Sequence, residues 1–188
     1  MSVISKTAVK QRLSVKAQTL AAILAVIGAI AVPRLFHAVG AVSGLGTALG
    51  ETFLPMHLPI ILTGFLAGPF AGAAAGLLGP LTSYLLTAMP GSVMLPFMMI
   101  ELCVYGLTAG MLGNVKIPCI AKVFAVQLIG RAVRAIAILA SVHVFGNNGV
   151  NTGIILTSIT AGLPGIILQW SIIPLLMYRI EGMTKNEQ

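Results

Sequence analysis

The sequence predicts an all-α polytopic membrane protein, a bundle of six transmembrane helices with a long outer loop between the first and second. Composition is the first reason: 57% of the 188 residues are hydrophobic and 8% charged, whereas soluble domains carry roughly a quarter charged residues. The second is that the apolar residues fall into runs near the length of about 20 that a span requires. The third is the block Leu54 to Leu81, LPMHLPIILTGFLAGPFAGAAAGLLGPL, with glycine at 64, 68, 72 and 76. Pro69 removes a backbone donor within that series, dividing it between two helices that can approach closely through small residues. Six spans use up the chain, so residues 1–188 form one integral membrane domain. A basic N-terminus at 1–16 and a polar tail at 179–188 are expected in the cytoplasm.

The first helix is expected from Ala17 to Val32, ending at Pro33 and Arg34. Its run exceeds the 7 to 15 residues of a signal-peptide core and further apolar runs follow, which favours a retained span. Ala17, Ala21, Ala25 and Ala29 recur every four residues as a ridge on which another helix can sit, either one of the chain's own or a partner's. Leu35 to Thr52 is glycine-punctuated and long enough to fold over a cavity. The second and third helices are expected at Phe53 to Ala67 and Phe70 to Ala88, the fourth at Val93 to Leu112. The fifth follows at Ala121 to Phe145 and, after the turn Gly146 to Gly149, the sixth at Thr152 to Tyr178.

The net charge of +7 does not point to nucleic acid, because the basic residues stand singly at the ends of apolar runs. A cytoplasmic N-terminus puts Lys6, Lys10, Arg12, Lys16, Lys116, Lys122, Arg179 and Lys185 on one side and leaves Arg34 opposite. Both termini then lie inside.

Arg131 and Arg134 sit deep in the fifth apolar run, where an ionised side chain costs at least about 2.5 kcal/mol on insertion scales. Gln127, Arg131 and Arg134 share one helix face. Glu101, at matching depth in the antiparallel fourth helix, is the expected partner, with Tyr105 and Thr108 on its own face. One reading is a structural ion pair. The other is that two arginines against one carboxylate leave a positive surplus suited to an anionic or strongly hydrogen-bonding ligand. Tyr84 and Thr87 on the third helix, His57 on the second and Asn147 in the last loop are further candidates for an outward-facing pocket, although each also fits an ordinary interfacial role. Trp170 and Gln169 are expected in packing and local hydrogen bonding.

No catalytic constellation is apparent. The four acidic residues are all glutamates, so Asp-dependent chemistry is excluded, and neither a P-loop nor a nucleophile elbow is present. No metal spacing involves Cys103 or Cys119. Without an ATPase of its own, or paired discontinuous helices, the chain is small for a self-sufficient secondary transporter and reads as a subunit. A stand-alone small transporter or channel is the alternative.

The block Leu54 to Gly91 together with Ile100 to Leu112, IELCVYGLTAGML, resembles the substrate-binding S components of energy-coupling factor (ECF) vitamin transporters. The resemblance implies six helices holding a vitamin near the outer surface, under a lid that here corresponds to Leu35 to Thr52. It further implies that Ala17, Ala21, Ala25 and Ala29 dock on a transmembrane coupling (T) protein, and that two ABC-type ATPases consume the ATP while this chain binds no cofactor. Members divide among riboflavin, folate, pantothenate, cobalamin, thiamine precursors and others. The surplus charge at Arg131 and Arg134 suits a carboxylate such as pantothenate.

Overall fold

A computed structural model describes residues 13–46 and 48–186, with side chains through Ile180. The basic residues Lys6, Lys10 and Arg12 lie outside the described residues, as does the side chain of Lys185. The elements are α1 (Val15–Val42), α2 (Ala48–Phe53), α3 (His57–Ala67), α4 (Pro69–Thr87), α5 (Leu95–Leu112), α6 (Cys119–His143) and α7 (Ile154–Asn186). Among the described residues six segments are long and apolar enough to span a membrane, with α2 and α3 together making one of them, Ala48–Ala67.

The expected stop at Pro33 is not observed. Ser14 caps α1 by accepting a hydrogen bond from the Ala17 amide at 3.3 Å, and the helix continues through Pro33 to Val42. Proline removes only one helical hydrogen bond, whereas leaving the helix within an apolar run would strand several backbone groups. At 1.5 Å per residue α1 is about 42 Å long and outreaches the hydrocarbon core. Its upper part carries Phe36, whose ring packs 5.6 Å from that of Phe53. The long irregular lid expected over Leu35 to Thr52 is therefore a helical extension, a short turn and α2. The polar tail is corrected too: α7 runs past Arg179 to Asn186, tolerating Pro164 and Pro174.

The helices surround α3. In sequence of neighbours, α1, α4, α5, α6, α7 and α2 form a ring, and α3 packs inside it against α1, α4, α5 and α7. Seven residues of α3 are buried, including Ile60, Ile61, Gly64 and Phe65. Its 11 residues cover about 16 Å, half of a hydrocarbon core of about 30 Å, so its first residue, His57, starts deep inside the bundle. Above it the chain breaks at Leu54, whose φ of 49° lies in the left-handed region.

The predicted hairpin between α3 and α4 forms at Gly68, with φ of 102°, followed by Pro69 at the first helical position. Its glycines serve α5 more than each other. A methyl group at Gly76 would overlap the Leu102 carbonyl, and one at Gly106 would overlap Gly72. The backbones of α4 and α5 thus touch directly, as small residues permit in lipid. The main core, with Ala29, Ile60, Ile61, Leu102, Val123, Val126 and Ile173, is built around α3 by residues of α1, α4, α5, α6 and α7. A smaller cluster of Phe97, Ile138 and Val150 closes the upper end between α5, α6 and the 144–153 segment.

A buried charge cluster as the candidate ligand site

Glu101 and Tyr105 stand one turn apart on α5 and are 0% and 1% exposed. The Tyr105 hydroxyl donates to Glu101 Oε1 at 3.0 Å, and Arg134 Nη1 donates to Glu101 Oε2 at 2.9 Å. Both carboxylate oxygens are thereby engaged, as a charge in a low-dielectric interior demands. Tyr105 reaches this position because α6 has glycine at 130, where a methyl group would overlap the phenol ring. The expected pairing of Glu101 with the arginine stripe holds for Arg134 alone. Arg131 instead reaches across to α7, with Nη1 at 3.4 Å from the Ser158 carbonyl, a long contact for a hydrogen bond. The second group on the carboxylate is Tyr105.

His57 joins the cluster from the start of α3. It is 3% exposed, and its ring centroid lies 5.3 Å from that of Tyr105 with the planes tilted by 55°. Among the described residues neither ring nitrogen makes a hydrogen bond of good geometry, although the Leu54 carbonyl lies beside the ring, and Arg131 Nε and Arg134 Nε have no partner. Buried side-chain polar atoms are generally satisfied, so four unpaired atoms on three neighbouring residues mark a place that another molecule can complete.

Gln127, the third member of the stripe, has protein partners. Its amide donates to Gln169 Oε1 at 2.9 Å and accepts from Trp170 Nε1 at 2.7 Å, while Gln169 Nε2 donates to the Leu54 carbonyl at 3.3 Å. This chain of bonds stitches α6 to α7 and anchors the break above α3, which matches the packing role expected of Gln169 and Trp170. Gly165 helps, since a methyl group there would come 2.6 Å from the Thr52 and Phe53 carbonyls.

Tyr84 and Thr87 lie elsewhere: α4 packs on α1, α3 and α5, away from the arginines on α6. The Thr87 hydroxyl donates to the Ser83 carbonyl at 2.8 Å and accepts from the Met89 amide at 3.2 Å, finishing its own helix. Thr108 likewise donates to the Val104 carbonyl at 2.7 Å. Asn147 is exposed in the upper turn, where its amide donates to Ser141 Oγ at 3.0 Å and accepts from the Gly149 N–H at 2.9 Å. It borders an open cleft of about 380 Å³ that includes Ser92, Phe97, Ala137 and Phe145. A space of only about 10 Å³ adjoins Arg131 and Arg134, beside Ile138, Ile155 and Ser158. The Phe97–Ile138–Val150 cluster, with Ala137 and Ile155 packed on it, separates the two.

Of the alanine ridge on α1, Ala25 and Ala29 are buried in the chain's own core, and a methyl group at Gly79 would stand 3.2 Å from Ala29 Cβ. Ala17 and Ala21 are partly exposed at the lower end. The sequence alone does not single out Gly106, Gly110, Gly130, Gly162 or the Ser158 carbonyl. The four-residue step from Gly106 to Gly110 is a usable signal, since both meet the hairpin; the carbonyl leaves none.

Six spans about a short central helix, with an incompletely paired cationic cluster beneath its broken upper end, define a polytopic membrane protein with an internal polar site. The profile of the family "ECF transporter, substrate-specific component" matches residues 15–177, and the chain belongs to that family. It is thus a substrate-binding subunit of an ECF importer, a class that works with T and ATPase modules and binds small molecules without being a catalytic enzyme. No curated protein and no solved structure matches the chain.

Proposed function

We propose that this chain is the high-affinity subunit through which an ATP-driven importer captures a vitamin or related micronutrient, and that its ligand is an anion of pantothenate type seated at Arg131, Arg134 and His57. The observation that carries this reading is the second arginine. Glu101 neutralises Arg134, whereas Arg131, in the same membrane-depth cluster, has only a long contact with a neutral carbonyl. A bound carboxylate supplies the absent charge and acceptors. Since about 10 Å³ accommodates no more than a water, the ligand enters from the 380 Å³ cleft as the Phe97–Ile138–Val150 plug parts.

Lys16, Lys116, Lys122 and Arg179 belong to the lower end and Arg34 to the upper, so the positive-inside rule puts both termini in the cytoplasm and the cleft outside. Ala17 and Ala21 then lie where a T protein can reach them. ATP is hydrolysed by two partner ATPases, and this chain needs no cofactor.

The test is a panel of vitamins read by thermal shift on detergent-purified protein, because a ligand selective for the folded state raises its Tm. Pantothenate is expected to stabilise the wild type, and Arg131→Ala to weaken its binding at least about tenfold while the protein still inserts. Tight binding of neutral riboflavin with none of pantothenate overturns the anion reading.

A further inference from the structure

The unpaired atoms of the cluster describe a ligand with two different ends, an inference that rests on the proposed use of the cluster as the substrate site. Two guanidinium groups and one carboxylate leave one positive charge. A neutral ligand leaves that charge uncompensated, a cation adds to it, and a dianion replaces it with a negative one; a monoanion balances it. The Nε–H groups of Arg131 and Arg134 require acceptors, which a carboxylate provides.

His57 adds a requirement that charge does not contain. Its two ring nitrogens are buried and make no hydrogen bond of good geometry, the Leu54 carbonyl being the one protein acceptor beside the ring, and an imidazole in either neutral tautomer presents one N–H donor and one lone-pair acceptor. A hydroxyl can serve either nitrogen, because it donates and accepts. An apolar ligand surface would leave both unsatisfied. The imidazole is linked to the arginines through Tyr105, whose ring packs on His57 and whose hydroxyl sits on the carboxylate that holds Arg134. His57 does not line the small space at the arginines, so one small molecule meets both ends once that space widens towards Tyr105.

We infer that the substrate class is a hydroxylated monocarboxylate, its carboxylate held by Arg131 and the Nε–H of Arg134 and a hydroxyl read by His57, which makes His57 a specificity-determining residue. His57→Phe keeps a ring against Tyr105 but removes both polar atoms. His57→Gln keeps a donor and an acceptor.

Three probes separate the two ends: pantothenate, pantothenol in which a CH₂OH replaces the carboxylate, and the pantothenate analogue lacking both hydroxyls. Affinities are measured for the wild type, Arg131→Gln, His57→Phe and His57→Gln, with the Tm of each ligand-free variant as the check on folding. On the wild type both altered probes are expected to bind at least about tenfold more weakly than pantothenate. His57→Phe should bind pantothenate and the dehydroxylated analogue equally, and His57→Gln should restore part of the difference. Arg131→Gln should erase the preference for pantothenate over pantothenol and leave the hydroxyl preference in place. If Arg131→Gln behaves so but His57→Phe still discriminates against the dehydroxylated analogue, the anion site stands and the His57 assignment falls. Should His57→Phe not fold, His57→Ala takes its place under the same folding check, and discrimination against the dehydroxylated analogue that survives in it overturns the His57 assignment. If the wild type binds none of the probes, both readings fail.

Discussion

The spans α1 and α2–α3 are both apolar, yet they occupy opposite positions in the molecule. Of α1's apolar window 11% lies buried, against 44% for Ala48–Ala67. The continuous helix presents Leu20, Ile23, Leu24 and Ile27 outward, whereas the broken one is enclosed by its neighbours. The difference shows why the break occurs where it does. A discontinuity facing lipid would expose unpaired backbone groups, but at Leu54 the protein encloses it, and the Leu54 carbonyl accepts from both the His57 amide and Gln169 Nε2. The same break lets a helix start at His57 inside the bundle, delivering an imidazole to a depth that a full-length span would fill with a continuous apolar wall.

If that contrast is right, equal substitutions on the two spans should have unequal effects. Gly64→Leu on α3 should be the most severe, because even a methyl group there would come 2.5 Å from the Gly106 carbonyl and 2.7 Å from Ala109 Cβ. A loss of more than about 4 kcal/mol is expected, read as failure to recover monodisperse protein after solubilisation. Glu101→Gln follows, since it leaves Arg134 without its carboxylate; on the order of 3 kcal/mol should be lost in thermal unfolding, and Glu101→Gln with Arg134→Gln should recover part of it. An unchanged Tm in the single variant would show that water already compensates the arginine.

Within α1 the ridge should split. Ala29→Leu overpacks the core and is expected to cost about 1–3 kcal/mol. Ala21→Leu should leave stability and ligand binding intact while reducing co-purification with the T protein and uptake in reconstituted vesicles. Equal effects on folding from both alanines would remove the distinction. The smallest effect belongs to Leu24→Ala on the outward face, within about 0.5 kcal/mol by thermal unfolding in detergent.

Much of this architecture was legible in the residues. The Gly68–Pro69 turn was readable because both residues act locally, one through an accessible positive φ and the other through an absent donor. Glu101 opposite the arginine stripe was readable because lipid makes an unpaired charge expensive and antiparallel neighbours match in depth. The end of α1 is not legible at Pro33, because a proline's local effect is outweighed by the backbone hydrogen bonding that the apolar run around it demands. For Tyr84 and Thr87 the shared helix face is legible, but which neighbouring helices α4 meets is not.

By itself the sequence determined a membrane-spanning helical bundle, the hairpin, the polar stripe of α6 and a positive surplus at membrane depth, since hydropathy, periodicity and charge are properties of a segment and its solvent. Only the tertiary structure decided that Arg134 takes Glu101 while Arg131 does not, that Gln127 has protein partners, and that His57 stands unpartnered beside Tyr105. Those outcomes depend on how side chains from separate helices meet in space: Tyr105 and Arg134 reach the Glu101 oxygens, while Arg131 extends to the Ser158 carbonyl on α7.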